Sequence, residues 1–60
     1  MHIRIEMHAE RLKRPVTRQY DNMSDAMDEW DISLDNALEG ETWRLINLET
    51  GRIMSEYVKR

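Results

Sequence analysis

The sequence predicts an α+β domain in β-β-α-β-β order: two antiparallel hairpins forming one four-stranded sheet, with a helix packed on one face. Three observations carry this expectation. Ile3, Ile5, Met7 and Ala9 alternate with His2, Arg4, Glu6 and His8. Met23, Ala26, Met27, Trp30, Leu34, Ala37 and Leu38 recur at helical spacing. Two apolar-rich runs flank Asn47-Leu48-Glu49-Thr50-Gly51. Period 2 marks a half-buried strand, period 3.6 an amphipathic helix, and a short loop containing Gly between apolar runs marks a hairpin.

Taken in order, the first strand is interrupted by Arg11-Leu12-Lys13-Arg14-Pro15, where Pro15 lacks an amide donor and suits a strand start or edge. Val16, Arg18 and Tyr20 then share one face of a second strand, paired with the first. Asp21-Asn22-Met23-Ser24 is rich in residues that cap helix N-termini by accepting backbone N–H bonds. The helix is expected from about Ser24 to Glu39, closed by Gly40 in a left-handed conformation. Trp30-Asp31-Ile32-Ser33-Leu34 also alternates as a strand would, but the seven-position helical stripe outweighs it. In the last hairpin, Asn47 can bond the backbone ahead of it and Gly51 supplies a positive φ. Trp43, Leu45, Ile53 and Tyr57 are expected beneath the helix. Arg44, Ile46, Met54, Glu56 and Val58, with Leu48, fall on the opposite face.

A chain of 60 residues is read as one domain, 1–60. At that size folding removes only about 60% of the surface of the unfolded chain, so the core is small and stability marginal. There is no Cys, which excludes disulfides and thiolate metal sites and fits a reducing compartment. An apolar share of 40% with 35% charged residues is that of a folded domain. No apolar run approaches the roughly 20 residues of a membrane span. The alternating N-terminus does not read as a secretory leader. The expected setting is the cytoplasm, that of the host if the chain is phage-encoded, with no membrane partner.

The net charge of −3 averages over a split. Residues 1–18 hold five cations against two acids, residues 19–43 hold eight acids and no cation, and residues 44–60 hold four cations against two acids. On a wheel of 100° per residue, Asp21, Asp25, Asp28, Asp35 and Glu39 fall within about 80° of one another, with Glu29 and Asp31 on the flanks. Amphipathicity turns these acids outward but does not dictate one sign. Surface helices gain about 0.2–0.5 kcal/mol from each Glu–Lys pair at i, i+4, and like charges there cost similar amounts. Asp21/Asp25, Asp25/Glu29, Asp31/Asp35 and Asp35/Glu39 are all repulsive, and Asp35 and Glu39 also oppose the helix dipole. Ile32 sits within the acidic arc, as an apolar anchor would on a surface made for a basic groove.

The residues speak against catalysis. Ser24, Ser33 and Ser55 have only His2 and His8 as bases, both on the first strand, and the carboxylates crowd an exposed helix. Asp31-Ile32-Ser33-Leu34-Asp35-Asn36 begins like a calcium loop, but Asn36 and Thr42 stand where Gly and Glu are required. His2 and His8 lie about 20 Å apart along a strand and cannot share an ion within one chain. No metal, cofactor or catalytic residue is expected.

Three readings follow. In the first, a non-enzymatic binding module presents Asp25, Asp28, Glu29, Asp31, Asp35 and Glu39, with Ile32 as anchor, to a basic surface of a larger protein. Such surfaces often bind DNA or RNA, so this module would act by charge mimicry. In the second, Arg11, Lys13, Arg14 and Arg18 contact nucleic-acid phosphates, a reading opposed by a pI near 5.2 and by the lack of interleaved aromatics. In the third, the acidic helix is only a solvated face serving solubility, and Ile46, Met54 and Val58 form a self-association face of a homodimer or other small structural homo-oligomer, which would relieve the small core. In size, acidity and β-β-α-β-β order the whole chain is similar to the small phage-encoded inhibitors, anti-CRISPR proteins among them. That likeness implies inhibition of a host enzyme or defence complex by binding alone.

Overall fold

A computed structural model of the chain describes residues 2–60. Its elements are β1 (Ile3–His8), β2 (Val16–Tyr20), α1 (Met23–Asp35), β3 (Thr42–Asn47) and β4 (Arg52–Val58). The four strands form one antiparallel sheet in the order β2-β1-β3-β4, as expected of two hairpins joined by a helix. β1 and β3 are central, so the two hairpins meet through the first strand of each.

The core is built where the two periodicities intersect. Ile3 and Ile5 of β1, Leu45 of β3, and Ala26 and Trp30 of α1 form the buried cluster. Tyr20, Met23, Leu34, Trp43 and Tyr57 pack around it. α1 lies over β1 and β2, leaving β4 largely exposed, with Tyr57 its one half-buried residue. The helix starts where the capping residues predict: Asn22 is the N-cap, and its side-chain oxygen accepts the Asp25 N–H at 2.8 Å.

The far end of the helix differs from the sequence reading. α1 stops at Asp35, four residues before Glu39, with Asn36 as its C-cap. The Asn36 side-chain amide donates to the Ile32 carbonyl at 2.9 Å, capturing an acceptor near the helix end. Asn competes in this way with helix propagation, and no basic residue stabilises the last turn. Gly40 does adopt a positive φ of 84°, but it serves the turn into β3 and donates to the Lys59 carbonyl at 2.9 Å. Glu39 therefore lies off the helix.

The second difference is in the last hairpin. Leu45 pairs with Ser55 and Ile46 with Ile53, so Met54 is the extra residue of a β-bulge. The bulge opposes Ile53 and Met54 together to Ile46, shifting the register by one. Ile53 thus leaves the helix-covered face expected for it and joins Ile46. Trp43 and Tyr57 remain paired beneath the helix side. The turn itself forms as predicted: Asn47 accepts the Glu49 N–H at 2.9 Å through its side chain, and Gly51 has φ 74°.

Candidate interaction surface

Asp25, Asp28, Asp31 and Asp35 all stand exposed on α1. Among the described residues none of them forms an ion pair with a cation. Asp25 receives the Asn22 side-chain amide at 3.0 Å as part of the cap. The other two acids of the predicted set stand apart. Glu29 is half-buried and its carboxylate lies 3.8 Å from the Arg18 guanidinium on β2. Glu39, exposed in the turn after the helix, borders a shallow depression with Ala9, Glu10 and Arg11. On the helix itself the exposed, unpaired acids among the described residues are therefore four aspartates rather than the six acids of the predicted set.

Ile32 is 54% exposed and faces a cleft between α1 and β2. The cleft encloses about 310 Å³. Val16, Arg18 and Tyr20 form its β2 side, Ile5 and Trp43 its floor. Glu29, Ser33 and Asn36 join Ile32 on the helix side, and Leu38 and Glu41 close one end. Val16 and Leu38 are also widely exposed. The anchor that the sequence places among acids alone is thus one wall of an apolar groove.

Glu41 is the residue that sequence reading missed. Counted there as one more acid, it is buried to 3% of its surface. Its carboxylate accepts the Leu38 N–H at 2.8 Å and the Trp43 indole N–H at 3.1 Å, and it pairs with the Arg11 guanidinium. These bonds tie the β1–β2 loop, the turn after α1 and the start of β3 to one group. The Leu38 N–H bond and the Arg11 and Trp43 donors hold its carboxyl below the usual value of 4.5, against the opposing effect of burial. The signal was present in the sequence: period 2 places residue 41 on the same face as Trp43 and Leu45.

The basic set is divided by these pairs. Arg11 is held by Glu41 and Arg18 lies beside Glu29, whereas Lys13 and Arg14 stand exposed in the loop. On the sheet face away from α1, charges are matched locally. Glu6 accepts from Arg4 at 3.4 Å and contacts His8 at 3.0 Å, and Arg44 donates to Glu56 at 2.7 Å. The His8 and Arg4 contacts hold the Glu6 carboxyl below its ordinary range, against the opposing effect of burial. Beside this lattice lie the bulge residues Ile53 and Met54 with Ile46, and Val58 pairs opposite Thr42. Ile46 thus has Ile53 and Met54 beside it, whereas Val58 lies farther along the same face, beyond the Arg44–Glu56 pair.

Among the described residues no three His, Asp or Glu side chains converge in a manner that could hold a metal ion. No described helix is long and apolar enough to cross a membrane. No protein-family model, curated protein or solved structure matches the chain.

Proposed function

We propose that the chain is a non-enzymatic protein-binding module, an inhibitor of the small phage type, whose acidic helix engages a basic surface of a larger protein. The observation that carries this reading is the set of four exposed aspartates on α1, none matched by a cation among the described residues, although the same chain pairs its acids with Arg or His on the opposite face. A concentrated field of one sign steers association and fixes orientation. Where the basic surface of the target is a nucleic-acid channel, occupation by the aspartates excludes the phosphate backbone. The second reading, direct nucleic-acid contact, is less well supported, because Arg11 and Arg18 already have acidic partners and Lys13 and Arg14 alone make a small patch.

The test is a pull-down from nuclease-treated cytosol of the source cell, comparing wild type with an Asp28→Lys/Asp35→Lys variant. Both positions are exposed, so circular dichroism should show an unchanged fold. A protein held by the wild type and released by the variant is the expected result. Equal capture by both would refute the acidic-surface reading.

A further inference from the structure

The cleft between α1 and β2 is bounded by an edge strand. In the order β2-β1-β3-β4 the outer side of β2 has no neighbouring strand among the described residues, and Val16, Thr17, Arg18 and Gln19 are all exposed. Val16, Arg18 and Tyr20 turn their side chains into the cleft, so the free backbone edge and the groove run side by side for about 13 Å. Across the groove stands Ile32, and on a helical wheel Asp25, Asp28 and Asp35 lie within about 60° of it. One rim is therefore hydrogen-bonding backbone, the interior is mostly apolar with Arg18 beside Glu29 inside it, and the aspartates of α1 stand beside the far rim. An edge strand beside a helix can receive an extended segment as an added strand, with alternate side chains entering the groove.

We propose that the α1/β2 cleft is the docking groove for an extended segment of a partner protein, in which an apolar side chain is flanked at two residues' distance by Lys or Arg. The apolar group seats between Val16 and Ile32, and the cations, two residues away and hence on the same strand face, reach Asp25, Asp28 and Asp35. This rests on the acidic-surface reading and names the partner element that the surface takes. The aspartates beside the far rim select a basic segment over a neutral or acidic one. A volume of about 310 Å³, open along an edge strand, suits one or two side chains better than an enclosed small molecule.

The test uses the full chain, labelled with ¹⁵N, titrated with the capped peptide Lys-Thr-Leu-Thr-Lys-Thr and followed by amide and indole chemical shifts. The expected result is saturable change at the β2 amides, at Ile32 and at the Trp43 indole N–H, with a dissociation constant on the order of 1 mM or tighter. Replacing Leu by Ser, or both Lys by Glu, weakens binding roughly tenfold or more, as does Ile32→Ser in the protein. Ile32 is largely exposed, and an unchanged helical spectrum confirms that the variant folds. Shifts confined to the aspartates, equal for the Leu and Ser peptides, would overturn the groove while leaving the acidic surface standing. Shifts absent with every peptide up to about 5 mM would overturn it as well. A molecular mass that rises with concentration, abolished by Ile32→Ser, would assign the groove to a second copy and overturn the partner proposal.

Discussion

Removing the Glu41 carboxylate should damage this fold far more than removing any other acid of the acidic segment. The buried oxygen atoms accept the Leu38 N–H at 2.8 Å and the Trp43 indole N–H at 3.1 Å, and both donors lose their partner in Glu41→Ala. A buried donor left unsatisfied costs about 1–3 kcal/mol, and these two are part-buried, so together they amount to at most about 3 kcal/mol. The Arg11 pair adds little, because its guanidinium is half exposed and such pairs contribute about 0–1 kcal/mol. A 60-residue domain has roughly 3–9 kcal/mol in total. Glu41→Ala therefore takes a large share of the stability, equivalent to a fall in Tm of at most roughly 12–24 °C.

Thermal melts by circular dichroism should give a definite order. Glu41→Ala is the worst, Glu41→Gln is intermediate because its carbonyl still accepts, Arg11→Ala costs less because its guanidinium is half exposed, and Glu39→Ala is nearly neutral. The pH dependence has a determined sign. A carboxyl whose folded pKa is depressed contributes stability above its unfolded value, and that contribution is lost as pH falls through the folded value. The wild type should thus lose stability on acidification below about pH 4.5, with Glu6 contributing in the same direction. Glu41→Gln should show a shallower loss over that range. If Glu41→Ala melts within about 2 °C of Glu39→Ala, the three-way latch does not hold the fold and the reasoning fails.

Trp30→Ala removes the largest buried side chain of α1 and should cost about 3–5 kcal/mol, enough to leave much of the population unfolded at 37 °C by circular dichroism. Gly51→Ala should cost about 1 kcal/mol in chemical denaturation through its φ of 74°, with no steric clash, and Gly51→Asn should cost less. Ile46→Asp should leave a monomer by sedimentation if the bulge face is a self-association surface, and an unchanged mass would remove that reading. Asp28→Asn/Asp35→Asn should raise Tm at low salt and flatten its salt dependence, since repulsion along α1 is screened as the Debye length falls from about 30 Å to 10 Å.

The element order, the strand faces of β1 and β2, the capping run Asp21–Ser24 at the helix start and the Asn47–Gly51 turn were all legible, because each depends on local chemistry or on simple periodicity. What escaped depends on non-local choices. The helical stripe continues through Ala37 and Leu38, so pattern alone extends α1 to Glu39. The chain instead stops at Asn36, where the side chain bonds Ile32 and the following turn is captured by Glu41. The bulge at Met54 inserts one residue into a clean alternation, and the apolar types of Ile53 and Met54 give no warning of it. At the candidate surface, the aspartates were visible as a charge run. The groove beside Ile32 was not, since it exists only once β2 is placed at the sheet edge next to α1.

Where the charges lie narrows what the surface is for. Most cations of the chain are spread over the sheet's open face, the first loop, the last turn and the C-terminus, and several have an acidic partner within 4 Å. Solubility needs only that the two signs be interspersed, as they are on the open face of the sheet. α1 instead concentrates one sign, in a helix whose like charges and unfavourable C-terminal Asp35 oppose its own formation. That cost falls on a domain with six buried apolar side chains among the described residues, and Lys at any of the four positions would relieve it. On a recognition surface, the field that destabilises the isolated helix would be the same field that a basic partner neutralises. The groove lies against that field rather than on the charge-matched face, so apolar contact and electrostatic attraction would act on the same partner segment.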